Sequence, residues 1–254
     1  MCYNLNKFAK GDTFMHNLIG KVRAAIDSYE MISENDKIAV CLSGGKDSIF
    51  LLYALNQIKA YYPKKFDLAA ITIDPCFNNV NADYSETEKL CAELNINYII
   101  KRTKLGDLIF NARKEKNPCS LCARMRRGML HDLANELSCN KIALGHNLED
   151  CVETFFMNLL SCGTIECFSP VTYLSRKNLH MIRPLIFCEE AKIISLVKRK
   201  NLPVVESNCP ANFHTNRQTA KELIFNLEKS YPNLRKKIIG ALQRADISDW
   251  GKYF

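Results

Sequence analysis

IAVCLSGGKDSIFLL, residues 38–52, is the stretch whose reading decides the fold. The apolar run KIAVCL (37–42) leads into Ser43-Gly44-Gly45-Lys46-Asp47-Ser48, and a helical pattern continues from about Ser48 to Lys59. Two adjacent glycines let the backbone turn tightly and approach an anion with no Cβ in the way. Successive backbone N–H groups and the helix N-terminus then face that anion. Ser43 and Ser48 add hydroxyl donors, and Lys46 adds a point charge. The plain alternative is a Gly-Gly turn between strand and helix. The spacing is not that of the loop G-x-x-x-x-G-K-S/T, which separates its glycines by four residues.

The flanking sequence repeats the same alternation. FDLAAITID (66–74) ends at Pro75 and precedes a helical pattern around Ser85–Leu94. NYIIK (97–101) precedes one near Leu105–Arg113, and KIALG (141–145) one from about Glu149 to Leu160. Residues 161–184 read as irregular, with a weak strand at HMIRPL (180–185). Upstream, Phe14, Met15, Leu18, Ile19, Val22, Ala25 and Ile26 mark a helix with Asp12 as its candidate cap. From Cys188 onward, EEAKIISLVKRK is helical and Pro203 breaks the pattern; the tail from Thr215 to Arg244 is basic and amphipathic. Short apolar strands separated by amphipathic helices predict an α/β fold: a doubly wound parallel five-stranded sheet covered on both faces. The expected division is an N-terminal helical segment (1–35), the α/β domain (36–210) and a helical C-terminal extension (211–254).

With 254 residues, 47% of them hydrophobic, the chain can bury a sizeable core. No apolar run reaches the roughly 18 residues of a membrane helix. MCYNLNKFAKGDTF at the N-terminus lacks the apolar core of a secretory signal. A cytoplasmic enzyme with no membrane partner is the expectation. The net charge is +8, and the stretch from Lys101 to Arg127 holds nine basic residues against Asp107 and Glu115. Such a concentration points to a polyanionic partner. A solvated helical face is the plainer account.

Of the twelve cysteines, Cys41, Cys91, Cys139 and Cys188 sit in apolar or helical contexts and read as small core residues. Cys162 and Cys167, in SCGTIEC, read as structural, with sulfur relay as the alternative. Cys119-Ser120-Leu121-Cys122 alone shows a meaningful spacing. By itself it is open between a metal or cluster site, a redox pair and coincidence. Thiolates at a helix start among arginines would carry strong ligand or nucleophile character. Cys209, in ESNCP, stands alone.

SGGKDS in this context resembles the PP-loop of the ATP pyrophosphatases, which cleave ATP between the α- and β-phosphates and adenylate a substrate oxygen on a HUP-like fold. PCSLCARMRRGML, IALGHNLEDCVET, MIRPL and ESNCP follow in an order that resembles the tRNA 2-thiocytidine synthetase (TtcA-type) group of Fe–S-dependent thiolases. The likeness covers about Ile38 to Arg217.

It implies ATP on Ser43, Gly44, Gly45, Lys46, Asp47, Ser48, Ile73, Gly145 and Arg126, with Ile73 meeting the adenine through its backbone. It implies Mg2+ at Asp47, Glu149 and Asp150, a hard cation on oxygen ligands. The plainer role of Glu149 and Asp150 is to complement a helix dipole. A [4Fe–4S] cluster falls to Cys119, Cys122 and Cys209, leaving one iron open to bind the sulfide to be delivered. Those cysteines with Lys46, Asp150 and Arg126 form the implied catalytic set. The implied partners are tRNA, a sulfur donor and a second copy in a homodimer. Glu149 replaces the family's aspartate, and Cys209 stands alone where members often carry a second CxxC-like pair. The terminal paired-cysteine zinc modules of the archaeal-type thiolases are absent. The rivals are a PP-loop thiolase of another nucleoside or a small molecule, tRNA lysidine synthetase, and an RNA-binding protein with a vestigial nucleotide site.

Overall fold

The computed structural model describes residues 13–112, 118–205, 208–209 and 216–251. Asp12, the basic residues Arg113, Lys114 and Lys116 with Glu115, and His214 lie outside the described residues. The elements run α1 (Thr13–Ser28), β1 (Asp36–Cys41), α2 (Lys46–Lys59), β2 (Phe66–Asp74), α3 (Ser85–Glu93), β3 (Asn97–Arg102), the single turn α4 (Leu105–Asp107) and α5 (Pro118–Glu136). They continue through β4 (Lys141–Ala143), α6 (Leu148–Met157), β5 (Val171–Leu174), β6 (Leu179–Ile182), α7 (Glu190–Arg199), α8 (Asn216–Ser230) and α9 (Leu234–Arg244). No helix among them is long and apolar enough to cross a membrane.

The sheet order is β3-β2-β1-β4-β6-β5. Ile38 registers with Leu68 on one side and Lys141 on the other, both parallel. The chain winds outward from β1 through β2 to β3, then returns to place β4 on β1's other side. That reversal opens a crevice beyond the carboxyl ends of β1 and β4, where α/β folds hold ligands. Alternation along β1 sends Ile38, Val40 and Leu42 into one apolar layer and Ala39 and Cys41 into the other. Helices α1, α2, α7 and α9 supply the first layer, and α5 with Ile109 the second.

The sheet has six strands rather than the expected five, because β5 pairs antiparallel with β6, Val171 opposite Ile182. VTYL is a four-residue edge strand with Tyr173 largely exposed, too short and too mixed to signal itself by periodicity. The helix expected near Leu105–Arg113 is only α4 followed by a π-helical turn, Leu108–Ala112. A second π turn, Asn158–Cys162, extends α6 and ends at Gly163 with φ +68°.

The tail packs into the same core as the first helix. Trp250 is fully buried and donates its indole N–H to Phe168 O at 2.9 Å, while its own carbonyl accepts from the Tyr29 hydroxyl at 3.0 Å. Trp250→Ala is expected to cost about 3–5 kcal/mol, read as a lowered urea midpoint with the sheet's circular dichroism retained before the transition.

Candidate functional site

The turn after β1 is shaped by a small hydrogen-bond cage. Ser48 Oγ donates to Gly45 O at 2.8 Å and accepts from Ser43 N–H at 3.1 Å, while Gly45 N–H donates to Ser43 Oγ at 3.3 Å. Gly44 has φ +85°, and a Cβ there would lie 2.9 Å from Val205 Cβ. Its carbonyl accepts from Val205 N–H at 2.9 Å. A Cβ on Gly145, just beyond β4, would lie 3.0 Å from Ser48 N. Helix α2 has no side-chain cap. Its N-terminal dipole therefore faces a cleft of about 300 Å³ that Gly45, Asp47 and Ser48 line.

The same cleft receives Ile73 from the end of β2, Arg126 from α5, Gly145 and Asp150. It also receives His146, from the stretch IALGHNLEDCVET, and Arg217, to which the sequence reading gave no role. Lys46 is turned to acids: its Nζ lies 3.0 Å from Asp47 Oδ2 and 2.9 Å from Glu190 Oε1. Burial would lower its pKa, but the hydrogen bonds and charges of Glu190 and Asp47 outweigh that and raise it. Burial raises Asp47 against the pull of Lys46.

Asn147 and Asp150 form a reciprocal capping box on α6, with Asp150 N–H donating to Asn147 Oδ1 at 3.0 Å and Asn147 N–H to Asp150 Oδ2 at 2.9 Å. The other Asp150 oxygen meets Arg217 Nη1 at 2.6 Å, and Asn147 Nδ2 donates to Asp47 at 3.2 Å. Glu149 departs from the expected acidic pair. Its carboxylate accepts from Glu190 N–H at 2.8 Å and lines a separate cleft with Glu189 and Arg235. Consecutive helical residues point about 100° apart, so Asp150 and Glu149 face different sides.

His146 stacks on Phe168 with ring centroids 5.0 Å apart, and its Nδ1 accepts from Arg183 Nε at 3.3 Å. Burial, then the charges of Arg183, Arg217 and Arg127, push its pKa down to about 3. Burial and these cations favour the neutral imidazole.

Cys119 and Cys122 lie on the first turn of α5 behind Pro118, Cys119 exposed and Cys122 buried. Residues three apart share a helix face. Cys209 packs on the same apolar layer as Cys122. Burial raises the Cys122 thiol, Arg126 opposes this, and the charges of Cys209 and Cys119 raise it further, so the three sulfurs sit within electrostatic reach. Among the described residues no three His, Cys, Asp or Glu side chains converge as for a single metal ion. Zinc would want a fourth protein ligand. Yet His146 is held by Arg183, and His131 is buried nine residues beyond Cys122. An all-sulfur set of three fits an Fe–S cluster better.

Arg126 joins the two halves. It lines both the loop cleft and a smaller cavity with Ser43, Tyr84, Val205 and Asn208, and its Nε is buried without a hydrogen-bond partner among the described residues. Such an orphaned donor calls for an anionic ligand. Cys162 is exposed; Cys167 is half-buried, with its thiol 3.4 Å from Cys151 O. Arg183 was legible only as a lone cation in the apolar stretch MIRPL. Nothing in the local pattern marked Arg217.

The PP-loop domain family matches residues 15–226. A tRNA-cytidine(32) 2-sulfurtransferase of Syntrophotalea carbinolica is 36% identical over 221 residues, 86% of this chain and 85% of the relative. That of Dichelobacter nodosus is 36% identical over 250 residues, 96% of this chain and 89% of the relative. Among solved structures, the U34-tRNA thiolase NcsA from Methanococcus maripaludis with its [4Fe-4S] cluster superposes with a TM-score of 0.74 at 27% identity, covering 91% of this chain and 78% of that one.

Glu153, buried beside Arg217 at 3.7 Å, carries a testable charge. Burial pushes its carboxyl from 4.5 up to about 7, against Arg217's attraction. With the folded pKa above the unfolded one, the native state binds more protons between those values. Stability should therefore fall as pH rises through that window. The urea midpoint is expected to drop between pH 5 and pH 8, and Glu153→Gln to flatten that slope.

Proposed function

The chain belongs to the PP-loop family, among the tRNA-cytidine(32) 2-sulfurtransferases, and from that premise we propose that it replaces O2 of a tRNA cytidine, the base at position 32, with sulfur in an ATP-dependent reaction. The observation that carries this reading is Arg126, whose buried Nε, without a partner among the described residues, stands between the phosphate-loop cleft and the layer holding Cys122 and Cys209. A nucleotide-binding loop and a three-thiol site that share one cation make a single reaction centre.

The loop amides, the α2 dipole and Lys46 hold the triphosphate, with Arg126 and Arg217 beside it. Asp47 and Asp150, both in the cleft, would hold Mg2+, which offsets charge on the leaving pyrophosphate. Cytidine O2 attacks the α-phosphorus and the bond to pyrophosphate breaks. Sulfide then adds at C2, the C2–O bond breaks, and AMP leaves with the oxygen. Cys119, Cys122 and Cys209 would hold a [4Fe–4S] cluster, which supplies an iron not claimed by a protein thiolate for binding sulfur from the donor. Exposed Lys101, Arg102, Lys104, Arg124 and Arg127 form the face offered to RNA phosphates. The reading places the enzyme in the cytoplasm, and sedimentation of the purified chain tests the expected homodimer.

Anaerobically purified protein is expected to contain iron and acid-labile sulfide, and tRNA from a deletion strain to lack 2-thiocytidine. Zinc without iron, or unchanged 2-thiocytidine, would overturn the proposal. Cys119→Ala should abolish thiolation while leaving ATP affinity unchanged. Arg217→Ala should weaken ATP binding about tenfold, the scale of one lost charge-assisted hydrogen bond, measured by equilibrium titration.

A further inference from the structure

The stretch MIRPL places a cation where nothing in the reaction scheme yet uses it. Arg183 is buried, and among the described residues its hydrogen-bond partners are all neutral: Ser169 O and Thr172 Oγ1 from Nη1, Met181 Sδ from Nη2, and His146 Nδ1 from Nε at 3.3 Å. It also sits 5.0 Å over the Phe168 ring, whose far environment includes the stacked His146. Burying a cation without a carboxylate partner is costly. The guanidinium is therefore held for what it does to its neighbour.

An arginine cannot accept a hydrogen bond. The 3.3 Å contact therefore assigns the lone pair of His146 to Nδ1 and its proton to Nε2. Phe168 fixes the ring plane, and the side chain lines the nucleotide cleft immediately after Gly145, whose missing Cβ lets β4 close onto the first turn of α2. We propose that His146 is a catalytic hydrogen-bond donor that presents a neutral Nε2–H to an oxygen of the reacting phosphate, and that Arg183 is the positioning residue that fixes this tautomer.

The arrangement excludes the commoner role of a cleft histidine. With Nδ1 occupied and Nε2 protonated, no lone pair is available to take a proton from substrate. The proposed chemistry needs none taken, because the cytosine O2 that attacks phosphorus is a carbonyl oxygen without a hydrogen. A fixed donor aimed at developing phosphate charge is instead the useful group. The cations Arg183, Arg217 and Arg127 act on the ring, the carboxylates Asp47 and Asp150 line the same cleft, and the thiols of Cys151 and Cys167 face Arg183. Burial and the three cations favour the neutral ring, and Asp150 is itself paired with Arg217.

This inference deepens the sulfur-transfer reading and rests on it for the identity of the acceptor. Its spectroscopic arm needs no turnover, so the two fail separately. In full-length protein labelled with 15N-histidine, long-range proton–nitrogen correlation between pH 5.5 and 8, assigned with the His146→Gln spectrum, should show the Nε2–H tautomer with no titration. An Nδ1–H tautomer, or a midpoint inside that range, would sink the idea whatever the reaction proves to be. In Arg183→Met, which removes the donor, both tautomers should appear, with folding checked by thermal melting; an unchanged single tautomer removes Arg183's role. For RNA-dependent pyrophosphate release, His146→Leu is expected to lower kcat about 10²–10³-fold, the scale of one oxyanion donor, with KM for ATP little changed. His146→Gln, which keeps an N–H donor, should recover much of that loss. Equal defects in the two variants, or a loss confined to KM, would count against a donor acting on the reacting phosphate.

Discussion

The contact between Gly44 and Val205 fixes the spacing on which the site depends. A glycine in the left-handed region brings the phosphate loop against the segment that leads to Cys209, and a backbone hydrogen bond joins them. Any side chain at position 44 would have to occupy the space of Val205 Cβ. Gly145 does the same on the opposite flank, letting the end of β4 touch the first turn of α2. Between these close approaches, the loop has little freedom to open or collapse, and Arg126 reaches it from α5.

Charge in the cleft is matched before any ligand is considered. Lys46 is held by Asp47 and Glu190, and Asp150 by Arg217. Glu190 in turn binds Lys221 on α8 at 2.9 Å. A metal–triphosphate would exchange these partners rather than add uncompensated charge, which keeps the cost of desolvating the site low. The C-terminal helices thereby belong to the electrostatics of the loop, since both Arg217 and Lys221 are carried on α8.

Much of this was legible in the amino-acid order, for reasons that are local. A glycine pair between an apolar run and a helix has few physical uses, so residues 43–48 announced both the strand–loop–helix and its anion. The parallel strands were legible because burial on both faces demands unbroken apolar runs. β5 was not, because four residues on an edge carry no such demand. Glu149 was grouped with Asp150 through the resemblance to a family acidic pair, whereas helix geometry turns Asp150 to the loop and Glu149 to the start of α7. Arg217 was invisible for a different reason. Its role arises from a helix folding back across the sheet, and sequence proximity says nothing about that. His146 entered only as one residue of the stretch IALGHNLEDCVET, and its partner, Arg183, lies 37 residues away.

The bond from Tyr29 to Trp250 spans 221 residues. On a ribosome adding roughly 5–20 residues per second, α1 would wait about 10–40 s for the segment that completes its packing. During that interval the apolar stripe of Leu18, Val22 and Ile26 has α2 to lean on, but not the tail. The phosphate loop likewise waits for Gly145 and Val205 before its spacing is fixed, so site and core are both completed late.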